Sequence, residues 1–278
     1  MKVETPAEQL YFVTLRIETE AGNDRRVATG FIVRHTWGED RVGLFLVTNK
    51  HVVNGAQRGR FSFLKSDGTA PLLGQKYDIE IDDFQNHWFG NPDPEIDIAV
   101  LPLGPVLIET QSRQWQIYFK TVSKEILPSK AQLEDLDAIE EVVFIGYPIG
   151  IWDTKNFLPI ARRGTTATPI SVDYANRPIF LVDASVFPGS SGSPVFVCNV
   201  GSYSHRGGLV VGSRLLFLGI VSSVFFHEEN GPLTLANIPT ASISTVKTRQ
   251  MIDLAVVFKS SAVFETIEAL LRQAGELK

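Results

Sequence analysis

One serine set between glycines, one histidine and one carboxylate could together carry nucleophilic attack on a carbonyl. The serine is Ser191, in Phe187-Pro188-Gly189-Ser190-Ser191-Gly192-Ser193-Pro194, just ahead of the apolar run Val195-Phe196-Val197. A residue without Cβ reaches backbone conformations closed to others, so this turn can bring main-chain N–H groups and a hydroxyl close to a reacting carbonyl. The same composition also suits an ordinary loop. What separates the two readings is a base, because a serine hydroxyl is a weak nucleophile: it needs a group to take its proton and a third group to hold that base in the right tautomer.

The buried-strand run Leu44-Phe45-Leu46-Val47 ends in Thr48-Asn49-Lys50-His51-Val52-Val53, which places His51 just past a rigid element. A second run, Ile98-Ala99-Val100-Leu101, follows directly on Asp97 after the approach Asn91-Pro92-Asp93-Pro94-Glu95. Aspartate is also a common turn former, and Asp93 and Glu95 are rival acids, but only Asp97 abuts the apolar run. His35, His87, His205 and His227 read as surface histidines in polar or irregular stretches. None has a second ligand at metal spacing, so no metal or organic cofactor is expected.

In these contexts the chain resembles the chymotrypsin-like serine proteases, especially the disulfide-free bacterial branch that includes the high-temperature-requirement A proteases and the glutamyl endopeptidases. Four segments in family order carry the resemblance: Ala28-Thr29-Gly30-Phe31-Ile32-Val33, Val47 to Val53, Asp97 to Leu101, and Gly189 to Pro194. It implies that His51 accepts the Ser191 proton and returns it to the leaving amine, that Asp97 orients His51, and that the N–H groups of Gly189 and Ser191 hold the oxyanion. Ser190 stands where the digestive enzymes have an aspartate that pairs with a newly cut N-terminus, so activation by cleavage is not expected. Ser193 replaces a glycine, a variation shared with the glutamyl endopeptidases. Ser185, six before the nucleophile, maps to the base of the specificity pocket, and Val221, Ser222, Ser223 and Val224 map to its wall. An uncharged base, and a valine where the glutamyl enzymes have histidine, point to small or medium apolar side chains before the scissile bond. The alternative is a protease-fold binding module, silent or active only when a partner orders the oxyanion loop. An α/β-hydrolase esterase is disfavoured, since its usual order is serine, acid, histidine.

These residues need strands to hold them. Short apolar runs separated by Gly, Pro, Asn and Asp recur from Tyr11 to Val221, the pattern of an all-β protein. Ser66-Asp67-Gly68-Thr69 reads as a hairpin turn. The resemblance implies two six-stranded antiparallel β-barrels: residues 7–124 carrying His51 and Asp97, and 140–245 carrying Ser191, with the cleft between them. Residues 125–139 form the connection, with a helical stretch from Ser129. Residues 246–278 form a C-terminal segment, where Val263, Ile267, Leu270 and Leu271 recur at helical spacing.

With 278 residues, 44% of them hydrophobic, the chain can bury a sizeable core. Its single cysteine, Cys198, excludes an intrachain disulfide. Twenty-six Lys and Arg against 31 Asp and Glu leave a net charge of -5, which argues against a nucleic-acid surface. Arg58, Arg60, Arg162 and Arg163 read as solvated loop or substrate-rim residues. The N-terminus lacks the apolar run of a secretory signal and no stretch is long enough to span a bilayer, so a cytoplasmic enzyme acting on polypeptides, without membrane or nucleic-acid partners, is expected. No appended peptide-binding domain is expected either.

Overall fold

Alternation along the central strands divides their side chains among three cores, and this division builds the architecture. The computed structural model describes residues 1–205, 207–233 and 244–277; residues 234–243 of the expected second barrel and Lys278 of the expected helix lie outside that set. In the first half the strands are β1 (Thr14–Ala21), β2 (Asp24–Trp37), β3 (Arg41–Thr48), β4 (Arg58–Ser66), β5 (Pro71–Asp82), β6 (Phe89–Gly90), β7 (Ala99–Pro102), β8 (Ile117–Tyr118) and β9 (Val122–Ser123). Their order is β5-β4-β1-β2-β3-β7-β6, with β8 on β4 and β9 parallel to β2. This nine-stranded sheet curls around one core without closing by hydrogen bonds: Ile79 and Phe84 from one end and Ala99 and Leu101 from the other bury in the same cluster. Ser66 to Thr69 make the turn between β4 and β5, with Asp67 Oδ1 accepting from the Thr69 and Ala70 N–H groups.

In the second half β10 (Glu141–Gly146), β11 (Ile160–Thr166), β12 (Ile179–Asp183), β13 (Pro194–Asn199), β16 (Arg214–Leu233) and β17 (Ser244–Lys259) close a barrel in the order β10-β11-β12-β17-β16-β13. The hairpin β14 (Ser202–His205) and β15 (Gly208–Val211) stands apart from it. The barrel therefore runs past residue 245 to Lys259. Its last strand opens with the mostly polar stretch Ser244 to Gln250, and its apolar run Leu254 to Phe258 lies in what the sequence assigns to the C-terminal segment. Strand β11 is likewise mostly polar in sequence, and it places Arg162 and Arg163 in a strand, not a loop. Arg58 and Arg60 likewise lie in β4, paired with Glu20 and Glu18 of β1.

Between the halves lies the third core. Phe31 and Val33 of β2 point into it while Ala28 and Ile32 point into the first-half core; Phe196 of β13 points into it while Val195 and Val197 fill the barrel. A strand that is buried on both faces reads as an unbroken apolar run. Helix α5 (Ser260–Gln273) closes this shared core with Ala262, Val263, Phe264, Ile267 and Leu271. Shorter helices are α1 (Pro6–Leu10), α2 (Lys50–Val53), α3 (Gly104–Ser112) and α4 (Lys130–Asp135), the last started by a capping box between Ser129 and Gln132. His35 is no surface residue. It is buried in the shared core beside Trp37 and Phe264, and burial pushes its pKa down.

If α5 is integral to the fold, Ile267→Ala, at a fully buried site, should cost about 2–5 kcal/mol in urea unfolding. Glu265→Ala on the exposed face should stay within about 0.5 kcal/mol of the wild type.

Candidate active site

His51 sits in α2, the single helical turn that follows β3, with its side chain half exposed. Asp97 lies one residue before Ile98 at the start of the β7 run, on a loop pinned from two sides. Asn49 Nδ2 donates to the Asp97 carbonyl at 2.7 Å, and buried Asn91 donates to Thr266 Oγ1 of α5 at 2.7 Å while its N–H reaches the Ile98 carbonyl. The C-terminal helix thus helps to place the acid.

The carboxylate meets the histidine twice. Asp97 Oδ2 lies 2.6 Å from His51 Nδ1, and Asp97 Oδ1 accepts from the His51 main-chain N–H at 3.1 Å. Ser222 Oγ also donates to Asp97 Oδ2, at 2.7 Å. Burial alone would push the Asp97 carboxyl up, but the His51 ring, its positive charge when protonated, and the Ser222 hydroxyl together hold it below its ordinary value. Asp93 and Glu95 take other roles: Asp93 caps its own turn through the Glu95 N–H, and Glu95 lies 3.8 Å from Arg177.

Ser191 is partly buried and its hydroxyl donates to the Ser222 carbonyl at 3.3 Å. Ser222 thereby touches both the acid and the serine. Its sequence context marked it only as pocket wall, and nothing local to Val221-Ser222-Ser223 announces a hydroxyl aimed at Asp97.

Gly189 has φ +90, and a Cβ there would strike the Tyr147 carbonyl, so only glycine fits. The two N–H groups expected to hold an oxyanion belong to peptide planes whose carbonyls are tied back. The Pro188 carbonyl accepts from Ile149 N–H at 2.5 Å, and the Ser190 carbonyl from Ser193 N–H at 3.0 Å. Among the described residues no main-chain carbonyl accepts from Gly189 or Ser191 N–H.

Beside Ser191 opens a cavity of about 210 Å³, lined by Val221, Ser222, Ser223 and Val224 on one side and by Val186, Phe187 and Pro188 on the other. Ser185 is exposed and does not line it; its buried neighbour Val186 does. Cys198, in β13, has its thiol pKa pushed up by burial, the opposite of an activated nucleophile. No group of three or more His, Cys, Asp or Glu residues suited to a metal occurs among the described residues.

The trypsin-like peptidase domain family matches residues 28–201, from the strand before the histidine to just past the serine strand. The chain belongs to this family of peptidases. The fold of this trypsin-like peptidase is similar to a serine endoprotease from Yersinia pestis, with 16% identity and a TM-score of 0.50 over 98% of this chain and 69% of that one. It is similar also to the HtrA-type protease AlgW with a tripeptide, with 15% identity and a TM-score of 0.50 over 99% of this chain and 65% of that one. The chain therefore spans about two thirds of the length of these structures. No curated protein matches it. Among the described residues no helix is long and apolar enough to cross a membrane.

Because the folded state lowers the Asp97 pKa, ionised Asp97 stabilises the fold above the ordinary unfolded value, and that contribution is lost as pH falls through the lower folded value. In urea unfolding, the stability gap between wild type and Asp97→Asn should narrow as pH falls below about 4. A gap unchanged down to about pH 2 would rule this linkage out.

Proposed function

We propose that this peptidase cleaves internal peptide bonds through a His51, Asp97 and Ser191 triad, by way of an acyl-enzyme. Ser191 Oγ attacks the scissile carbonyl carbon while His51 Nε2 takes its proton. Asp97 holds the Nδ1–H tautomer and stabilises the imidazolium, and the Gly189 and Ser191 N–H groups receive the oxyanion. His51 then protonates the leaving amine, and water releases the acyl group by the reverse proton path. The observation that carries this reading is the 2.6 Å contact between Asp97 Oδ2 and His51 Nδ1, joined through Ser222 to the Ser191 hydroxyl.

In the free protein Ser191 rests on the Ser222 carbonyl. Attack requires the hydroxyl to leave this contact and turn to His51, and such catalytic hydrogen bonds often form fully only with substrate bound. The same resting contact is what favours the alternative, a module that a partner must switch on. Against it stand the tied carbonyls of Pro188 and Ser190, which support an oxyanion site already formed in the free chain. The apolar cavity supports small or medium apolar side chains before the cut, with Val186, not Ser185, among the residues that set its depth.

The purified chain should label with a fluorophosphonate and cleave unfolded polypeptides without added partner. Ser191→Ala should abolish both while leaving the melting temperature nearly unchanged; labelling that survives in this variant would remove Ser191 from the mechanism. His51→Ala should lower kcat by at least about a thousandfold. In a peptide library the residue before the cut should be Ala, Val or another small apolar residue, and a preference for Lys, Arg or Glu would refute the pocket assignment. Cleavage only after a partner protein is added would favour the switched module.

A further inference from the structure

Thr29 is fully buried in β2, on the side facing the second half of the chain. A hydroxyl donates one hydrogen bond and accepts two, and here all three are used across the seam. Thr29 Oγ1 donates to the Gly189 carbonyl at 3.0 Å and accepts from Tyr147 N–H at 3.1 Å and from Ser193 Oγ at 3.3 Å. Its main chain is committed as well: Thr29 N–H reaches the Ser191 carbonyl at 2.9 Å, and its own carbonyl accepts from Thr48 Oγ1 at 2.7 Å. Room for this hydroxyl pair comes from Gly146, where a Cβ would overlap both Ser193 Oγ and Thr29 Oγ1. Ser193 is thus more than a departure from glycine after the nucleophile's Gly192.

We infer that the Thr29 hydroxyl, braced by Ser193, is a positioning group that locks the oxyanion loop from the opposite half of the molecule. This rests on the peptidase reading above. Gly189 joins two peptide planes. Ile149 N–H holds the carbonyl of the plane that carries the Gly189 N–H, and the Thr29 hydroxyl holds the carbonyl of the next plane. With both planes fixed, the Gly189 N–H cannot rotate without breaking one of these hydrogen bonds. Removing the hydroxyl would leave the Gly189 carbonyl and the Tyr147 N–H unsatisfied, and a flipped or loosened loop is the way to satisfy them. The Thr29 hydroxyl makes no hydrogen bond to Ser191, so its effect on catalysis passes through Gly189 and the Tyr147 and Ser193 groups that brace it.

Thr29→Val keeps the shape and deletes the hydroxyl, whereas Thr29→Ser keeps the hydroxyl. In Thr29→Val, kcat on a peptide amide should fall by about tenfold to a hundredfold with KM within about twofold. Affinity for a peptide aldehyde, whose hemiacetal oxygen occupies the oxyanion site, should fall by a similar factor. Thr29→Ser should recover kcat to within about threefold. Hydrogen exchange at Tyr147 N–H and through residues 187–193 should speed up in Thr29→Val and not in Thr29→Ser, a reading that needs no turnover. If Thr29→Val proves too unstable, Ser193→Ala should show a smaller loss of kcat in the same direction.

A folded Thr29→Val with wild-type kcat and aldehyde affinity, a rise in KM alone, or unchanged exchange would each overturn the inference. Failure of the peptidase reading looks different: the wild type would then neither turn over substrate nor label at Ser191, while the exchange comparison would still report on the loop.

Discussion

The two halves of the molecule meet main chain to main chain, and the placement of every reactive group follows from that contact. Thr29 N–H donates to the Ser191 carbonyl, and Gly192, at φ +85, lies so close to Thr29 that a Cβ would fall on its carbonyl oxygen. A side-chain seam would tolerate small shifts through rotamer changes, but a backbone seam fixes the distance between the half that carries His51 and the half that carries Ser191. Two groups required within hydrogen-bond reach of each other, yet supplied by different cores, need such a reference. The shared core of Phe31, Phe196, Phe217 and Phe258 presses the halves together, and the glycine decides how closely they approach.

At this seam Asp97 carries an electrostatic cost. Placing Asp97 partly out of water disfavours its charge, and the His51 ring, the His51 N–H and the Ser222 hydroxyl offset that penalty. Each of these donors also fixes a direction. The bidentate contact with His51 sets the plane of the imidazole, and Ser222 draws the wall of the cavity against the acid. Because Asn91 ties the aspartate loop to Thr266 of α5, the last helix of the chain is mechanically part of the site. Stability and geometry therefore depend on the same few hydrogen bonds.

Much of this was legible in the sequence because the strands that carry the site are buried on both faces. Leu44 to Val47, Ile98 to Leu101 and Val195 to Val197 stand out as apolar runs, and each adjoins a segment of the candidate site. Strands with a solvent-facing side were harder to see: β11 exposes Ala161 and Arg163, and residues 244–250 of β17 are mostly polar in sequence. Long-range hydrogen bonds leave no local trace. The hydroxyls of Thr29 and Ser222 find partners far away in sequence, and neither residue type in its own strand signals them. The shift from Ser185 to Val186 at the cavity has the same origin, since Ala184 and Val186 turn into the barrel core and leave Ser185 facing solvent.

That one-residue shift changes the chemistry the cavity can accept. A serine at its base would give a polar floor, whereas Val186, Val221 and Val224 make the lining chiefly aliphatic. Of the hydroxyls lining it, that of Ser222 already serves Asp97, that of Ser191 is the proposed nucleophile, and Ser223 is an exposed residue. A charged side chain entering this space would lose water and find no counter-charge, a penalty of several kcal/mol unless it were neutralised. An added methylene, by contrast, changes binding by only about 1–3 kcal/mol. On the proposed reading such a cavity would exclude charge strongly and grade apolar size weakly, and finer selection among substrates would come from their contacts with the strands on either side of the cleft.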